Sequence, residues 1–102
     1  MMKKDACVYI LTNKNHSVIY VGVTSDLGKR VIQHKTGFYK NAFTSRYNVT
    51  ELVYFEEFER IDEAIRREKQ LKAGSREKKI NLISRFNPQW EDLLTKTHPT
   101  SK

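Results

Sequence analysis

Ala6-Cys7-Val8-Tyr9-Ile10-Leu11 is followed, after Asn13-Lys14-Asn15-His16, by Val18-Ile19-Tyr20-Val21-Gly22-Val23. Two short runs rich in Val, Ile and Tyr around a polar break read as a β-hairpin. With the loop centred between Lys14 and Asn15, Tyr9 is expected directly opposite Tyr20, and Leu11 opposite Val18. Both tyrosines then share one sheet face, since a slip of one residue would turn them to opposite faces. Paired aromatics are common sheet stabilisers, so the pair alone does not announce chemistry.

Downstream of the hairpin, Thr24-Ser25-Asp26 supplies an N-cap for a helix from Leu27 to Lys35, with Gly37 as its stop. Phe38 to Val49 has no clear period and reads as a loop holding a turn. Leu52 to Phe58 is a third strand with apolar residues on both faces, so it is expected to be covered on both sides. Ile61 to Lys72 is an amphipathic helix ended by Gly74. Ser75 caps a further helix running to Arg85, with Ile80, Ile83 and Phe86 inward. Asn87-Pro88 opens a last helical turn carrying Trp90, Leu93 and Leu94, with Asn as cap and Pro at the first position. The order ββαβαα predicts an α+β fold, a small antiparallel sheet with helices packed on it. One domain over residues 1–94 is expected, followed by a polar tail, 95–102.

With 102 residues and a net charge of +7, the chain has room for one modest core and favours polyanionic partners, nucleic acid or an anionic membrane surface. Cys7 is the sole cysteine, which excludes an internal disulfide and a Cys-rich zinc cluster. His16, His34 and His98 are too scattered for a local histidine site. The opening Met1-Met2-Lys3-Lys4-Asp5 lacks a signal-peptide run, and no stretch approaches the ~20 apolar residues of a membrane span. A soluble, cytoplasmic protein without a membrane role is expected.

Three features carry chemistry. Arg30 and His34, spaced i, i+4, project from one helical face, where a fixed cation and a titratable imidazole could hold a phosphate or simply be solvated. Glu68 falls inside the stripe Ile61, Ala64, Ile65, Leu71, where a carboxylate is costly unless paired or metal-bound. It is either a structural ion pair, with Arg30 a candidate partner, or a hard oxygen ligand for Mg²⁺ or Mn²⁺. From Leu27 to Thr50 the chain carries Lys29, Arg30, Lys35, Lys40 and Arg46 with no acid. Phe38, Tyr39, Phe43 and Tyr47 interleave, a mixture suited to phosphate contacts and base stacking, or to anchoring a long loop.

Together these residues resemble the GIY-YIG nuclease family, whose two named motifs lie on adjacent strands. They correspond to Cys7-Val8-Tyr9, with Cys for Gly and Val for Ile, and to Tyr20-Val21-Gly22. The family's arginine corresponds to Arg30, its histidine to His34, and its metal-binding glutamate to Glu68 in Arg67-Glu68-Lys69-Gln70-Leu71-Lys72. Its downstream asparagine corresponds to Asn87, with Asn81 the weaker candidate and helix capping an alternative role for Asn87. Phe43-Thr44-Ser45-Arg46-Tyr47 and Lys72-Ala73-Gly74-Ser75-Arg76 look like the small single-domain bacterial members. The resemblance runs from Val8 to Leu94 and implies a three-stranded antiparallel sheet flanked by helices.

It also implies a divalent-metal-dependent endonuclease acting on DNA phosphodiesters, with Tyr9, Tyr20, Arg30, His34, Glu68 and Asn87 as catalytic residues and Mg²⁺ or Mn²⁺ held by Glu68. Arg30 would stabilise phosphoryl charge, and Tyr9 would act as base, oriented by Tyr20 and His34. The competing readings are a catalytically silent nucleic-acid-binding module and a merely basic scaffold. Lys29, Lys35, Lys40 and Arg46 are expected to contact DNA phosphates, which carry no base information. Selectivity is therefore expected for DNA structure rather than sequence, or to come from a partner protein.

Overall fold

The hairpin forms, with its loop wider than the sequence suggests. In a computed structural model describing residues 6–35 and 46–94, β1 (Ala6–Thr12) pairs antiparallel with β2 (Ile19–Thr24), placing Tyr9 opposite Gly22 and Leu11 opposite Tyr20. The expected pairing of Tyr9 with Tyr20 is therefore two residues out. The cause is Asn13, whose Oδ1 accepts from the backbone N–H of Ser17 (2.9 Å) and Val18 (3.0 Å) and so folds that stretch into the loop. His16, at φ 60°, closes the turn by donating its N–H to the Asn13 carbonyl. A shift of two preserves the face, so both tyrosines still lie on the same side of the sheet.

α1 (Leu27–Lys35) starts where Asp26 Oδ1 accepts from the Lys29 N–H, an N-cap bond. β3 (Glu51–Phe58) adds antiparallel to the other side of β1, giving the order β2-β1-β3. α2 (Ile61–Ala73) and α3 (Arg76–Phe86) follow, the latter capped by Ser75 Oγ accepting from Lys78 N–H. The predicted ββαβαα order and α+β class hold. None of these helices is long and apolar enough to cross a membrane.

β1 is central, and every one of its residues is buried. On one face Val8, Ile10, Val21 and Tyr54 pack with Ala64 and Leu71 of α2 and Ile83 of α3. On the other, Tyr9, Leu11 and Leu52 pack with Val31 of α1, Val49, Leu93 and Leu94. Helices thus cover both faces, as the apolar residues on both sides of β3 required.

Three expectations about the helices need correction. Ile61 and Ile65 are 45% and 37% exposed, so the sheet-facing stripe of α2 is Ala64, Arg67, Glu68 and Leu71. The helix turns this way because Arg67 finds a carboxylate on β3. Phe86, expected inside, is 47% exposed, its ring set edge-on to Tyr54 and Phe55. Asn87 caps the end of α3, its N–H bonding to the Ile83 carbonyl, rather than opening a further helix. Burial, reinforced by Glu57, pushes the Cys7 thiol up to about 12. With so little thiolate at neutral pH, Ellman's reagent is expected to leave the native protein unlabelled and to react fully after denaturation. Rapid labelling under native conditions would show that β1 opens readily.

Candidate active site

The hairpin register explains why a glycine ends the second motif. A Cβ built on Gly22 would fall 2.5 Å from Tyr9 Cζ and nearer still to Oη, so the ring lies where any other side chain would begin. The φ of Gly22 lies outside the left-handed region, which makes this a demand for space and not for backbone freedom. Tyr20, diagonal to Tyr9, brings its ring centroid to 6.4 Å with the planes tilted by 43°. Tyr9 is fully buried, whereas Tyr20 is partly exposed.

Beyond Gly22, Thr24 leads into α1. Thr24, Ser25, Asp26, Lys29, Arg30 and Gln33 line an open cleft of about 370 Å³. Lys29 and Arg30 therefore stand together at the head of the helix whose Val31 packs in the same cluster as Tyr9. His34 lies one turn after Arg30 on α1; its side chain falls outside the described residues, as does Lys40. Lys35 is held by an ion pair to Asp92 Oδ2 at 2.6 Å, so it ties α1 to the C-terminal segment. Arg46 is exposed, with its guanidinium 5.7 Å above the Tyr47 ring.

Glu68 descends from α2, on the opposite sheet face from α1. Its side chain is only 13% exposed and its Oε2 is 2.6 Å from Lys72 Nζ, so the ion-pair partner is Lys72 and not Arg30. The neighbouring Arg67 is committed elsewhere. Its Nε donates to both oxygens of Glu56 (3.0 and 3.2 Å), and its Nη2 donates to Oε2 at 2.9 Å. The Tyr54 hydroxyl donates to the same Oε2. Desolvation alone would raise the Glu56 carboxyl, but the Arg67 and Tyr54 hydrogen bonds outweigh it and hold the group below its ordinary value. Burial, and then the Glu56 carboxylate, push the Tyr54 phenol up to about 12. This network pins α2 to β3 at the residue before Glu68. β2 and β3 are both outer strands of a three-stranded sheet, which stands between the tyrosines on the α1 face and Glu68 on the α2 face.

Asn87 is 6% exposed and used by the backbone around it. Its Nδ2 donates to the carbonyls of Val53 (3.2 Å) and Glu91 (2.8 Å), and its Oδ1 accepts from the Glu91 N–H (3.1 Å). Val53 is the residue left over where the β1–β3 register shifts, so Asn87 braces an irregularity in the sheet.

A family model described as the GIY-YIG catalytic domain matches residues 5–81. The chain belongs to the GIY-YIG nuclease family. A UPF0213 protein of Staphylococcus saprophyticus is 39% identical over 77 residues, covering 76% of this chain and 92% of that one. One of Clostridium perfringens is 42% identical over 77 residues, covering 76% and 81%. The solution NMR structure of a UPF0213 protein of Bacillus halodurans superposes with a TM-score of 0.54 at 34% identity, covering 95% of this chain and 97% of that one.

Within the GIY-YIG frame, the tyrosine of one motif rests on the glycine of the other. The first motif's glycine position is Cys7, buried opposite Thr24. Motif reading missed Lys72, the Tyr54–Glu56–Arg67 network and Asp92. A charge count by segment would have drawn attention to α2 and α3, because residues 64–85 carry eight basic and two acidic side chains.

Proposed function

We propose that this GIY-YIG domain is a divalent-metal-dependent endonuclease hydrolysing DNA phosphodiester bonds, selective for DNA structure rather than sequence. The observation that carries the reading is the packing of Tyr9 and Tyr20 on the sheet face that α1 covers, with Lys29 and Arg30 together in a cleft at the head of that helix. A merely basic scaffold has no need of that arrangement.

Glu68 fits a hard divalent ion. It offers one enclosed oxygen donor pair, and no group of three or more His, Cys, Asp or Glu gathers among the described residues. Mg²⁺ and Mn²⁺ accept such a site because water and substrate phosphate complete their shells. When bound, the ion supplies charge neutralisation at the phosphate and the leaving oxygen. Arg30 presents a planar fork to the non-bridging oxygens, a geometry lysine lacks. Lys29 adds a phosphate contact beside it. Tyr20, partly exposed, meets the attacking water and takes its proton while its own phenolic proton passes to solvent, with Tyr9 and His34 orienting it; this exchanges the roles the resemblance implied for the two rings, because Tyr9 is enclosed. Asn87 acts by bracing the sheet rather than by touching substrate. Lys40 and Arg46 lengthen the phosphate track, and targeting to a pathway comes from DNA shape or a partner protein.

The purified protein is expected to nick branched, flapped and single-strand-tailed DNA in Mg²⁺ or Mn²⁺ and not in chelator. Binding to plain duplex should be salt-sensitive and weak, at ~10⁻⁴–10⁻⁶ M. Binding without cleavage in any ion would favour the silent-module reading. Tight binding to one duplex sequence that survives high salt would remove the claim of structure selectivity.

A further inference from the structure

We infer that Lys72 is a resident counter-cation on Glu68, which a divalent ion must displace to load. This rests on the reading of Glu68 as the metal ligand. A carboxylate this enclosed needs a positive partner whether or not metal is present. Arg67 cannot serve, because Glu56 and Gln70 occupy its guanidinium. Lys72 does serve, one helical turn away, with Nζ at 2.6 Å from Oε2. The exposure of the pair is lopsided: the Glu68 side chain is 13% exposed and that of Lys72 is 54%.

The asymmetry makes the pair exchangeable. The carboxylate is fixed on the sheet-facing stripe, while the ammonium rides on a flexible four-carbon stem at the surface and regains rotamer freedom when it leaves. An arginine in its place would grip both oxygens and resist exchange. A divalent ion brings twice the charge to the same oxygens, so it wins once its concentration offsets the loss of the pair. The freed ammonium stays within one side-chain length of Glu68, where an approaching phosphate needs a cation. Lys72 thus sets the metal concentration at which the site loads and then becomes a phosphate contact.

Mn²⁺ binding should be measured by isothermal titration at fixed ionic strength for wild type, Lys72→Met, Lys72→Arg and Glu68→Gln, with thermal melts in chelator and in Mn²⁺. Lys72→Met keeps the stem and removes the charge. It is expected to bind Mn²⁺ about threefold to tenfold tighter than wild type. It should also melt lower than wild type in chelator and gain more from added Mn²⁺. Lys72→Arg should shift the affinity the other way. Equal affinity in wild type, Lys72→Met and Lys72→Arg, with binding abolished by Glu68→Gln, would overturn the role of Lys72 and leave Glu68 as the ligand. Mn²⁺ binding that Glu68→Gln does not diminish would overturn both.

Discussion

Glu68→Gln is expected to lower cleavage by about 10³-fold or more, because it removes the charged oxygen that would hold the divalent ion while keeping the side chain's shape. DNA binding in chelator should be unchanged or slightly tighter, since the basic surface remains and one negative charge is gone. The variant should melt within about 5 °C of wild type, as an i, i+4 pair with a half-exposed lysine contributes little to folding. Steady-state cleavage, an electrophoretic binding assay and a thermal melt separate the alternatives. Retained cleavage removes Glu68 from the chemistry, and a large fall in melting temperature marks it as structural instead.

Gly22→Ala is expected to cost about 3 kcal/mol or more, lowering the melting temperature by on the order of 15 °C. The added methyl would overlap a tyrosine ring that is fully buried and held between β2, β3 and α1. The methyl would meet the outer end of the Tyr9 ring, which is enclosed on all sides, so the hairpin must spread or the ring must leave its place. In the second case Tyr20 loses its neighbour. Adding Tyr9→Leu to Gly22→Ala should recover part of the loss, because the two positions compete for one volume and their effects are not additive. Urea or thermal denaturation of the single and double variants reads this directly. A near-neutral Gly22→Ala would mean that Tyr9 does not lie on that glycine.

Much of the fold was legible because its signals are local. Alternation marked the strands, and Asp26 and Ser75 marked helix starts that the structure places within a residue of expectation. The hairpin register was not legible, since side-chain bonds from Asn13 set the loop length, and turn residues alone do not encode them. The rotation of α2 was hidden for a different reason. Periodicity counts apolar residues, but here a half-buried Arg67–Glu56 pair outcompetes Ile61 and Ile65 for the sheet-facing side. The alternation Tyr54, Glu56, Phe58 on β3 carried a clue, since it puts a carboxylate on an inward row that must find a cation. As for the site, the placing of Tyr9, Tyr20 and Arg30 on the α1 face follows from strand parity and helix spacing. The position of Glu68 across the sheet depends on which helix covers which face, and that only the packed chain determines.

The C-terminal strap has a consequence in time. Asn87 holds the Val53 carbonyl, Asp92 holds both Lys35 and the Leu52 N–H, and the Trp90 ring lies 4.8 Å from that of His16. These few residues fasten the hairpin loop, α1 and β3, all of which are translated before them. On a ribosome, the earlier elements can collapse against one another as they emerge, but they wait for the strap to be fixed in place. Until then the hairpin loop, α1 and β3 lack the side-chain ties that fasten them. The order of synthesis thus makes the strap the last of these pieces to dock.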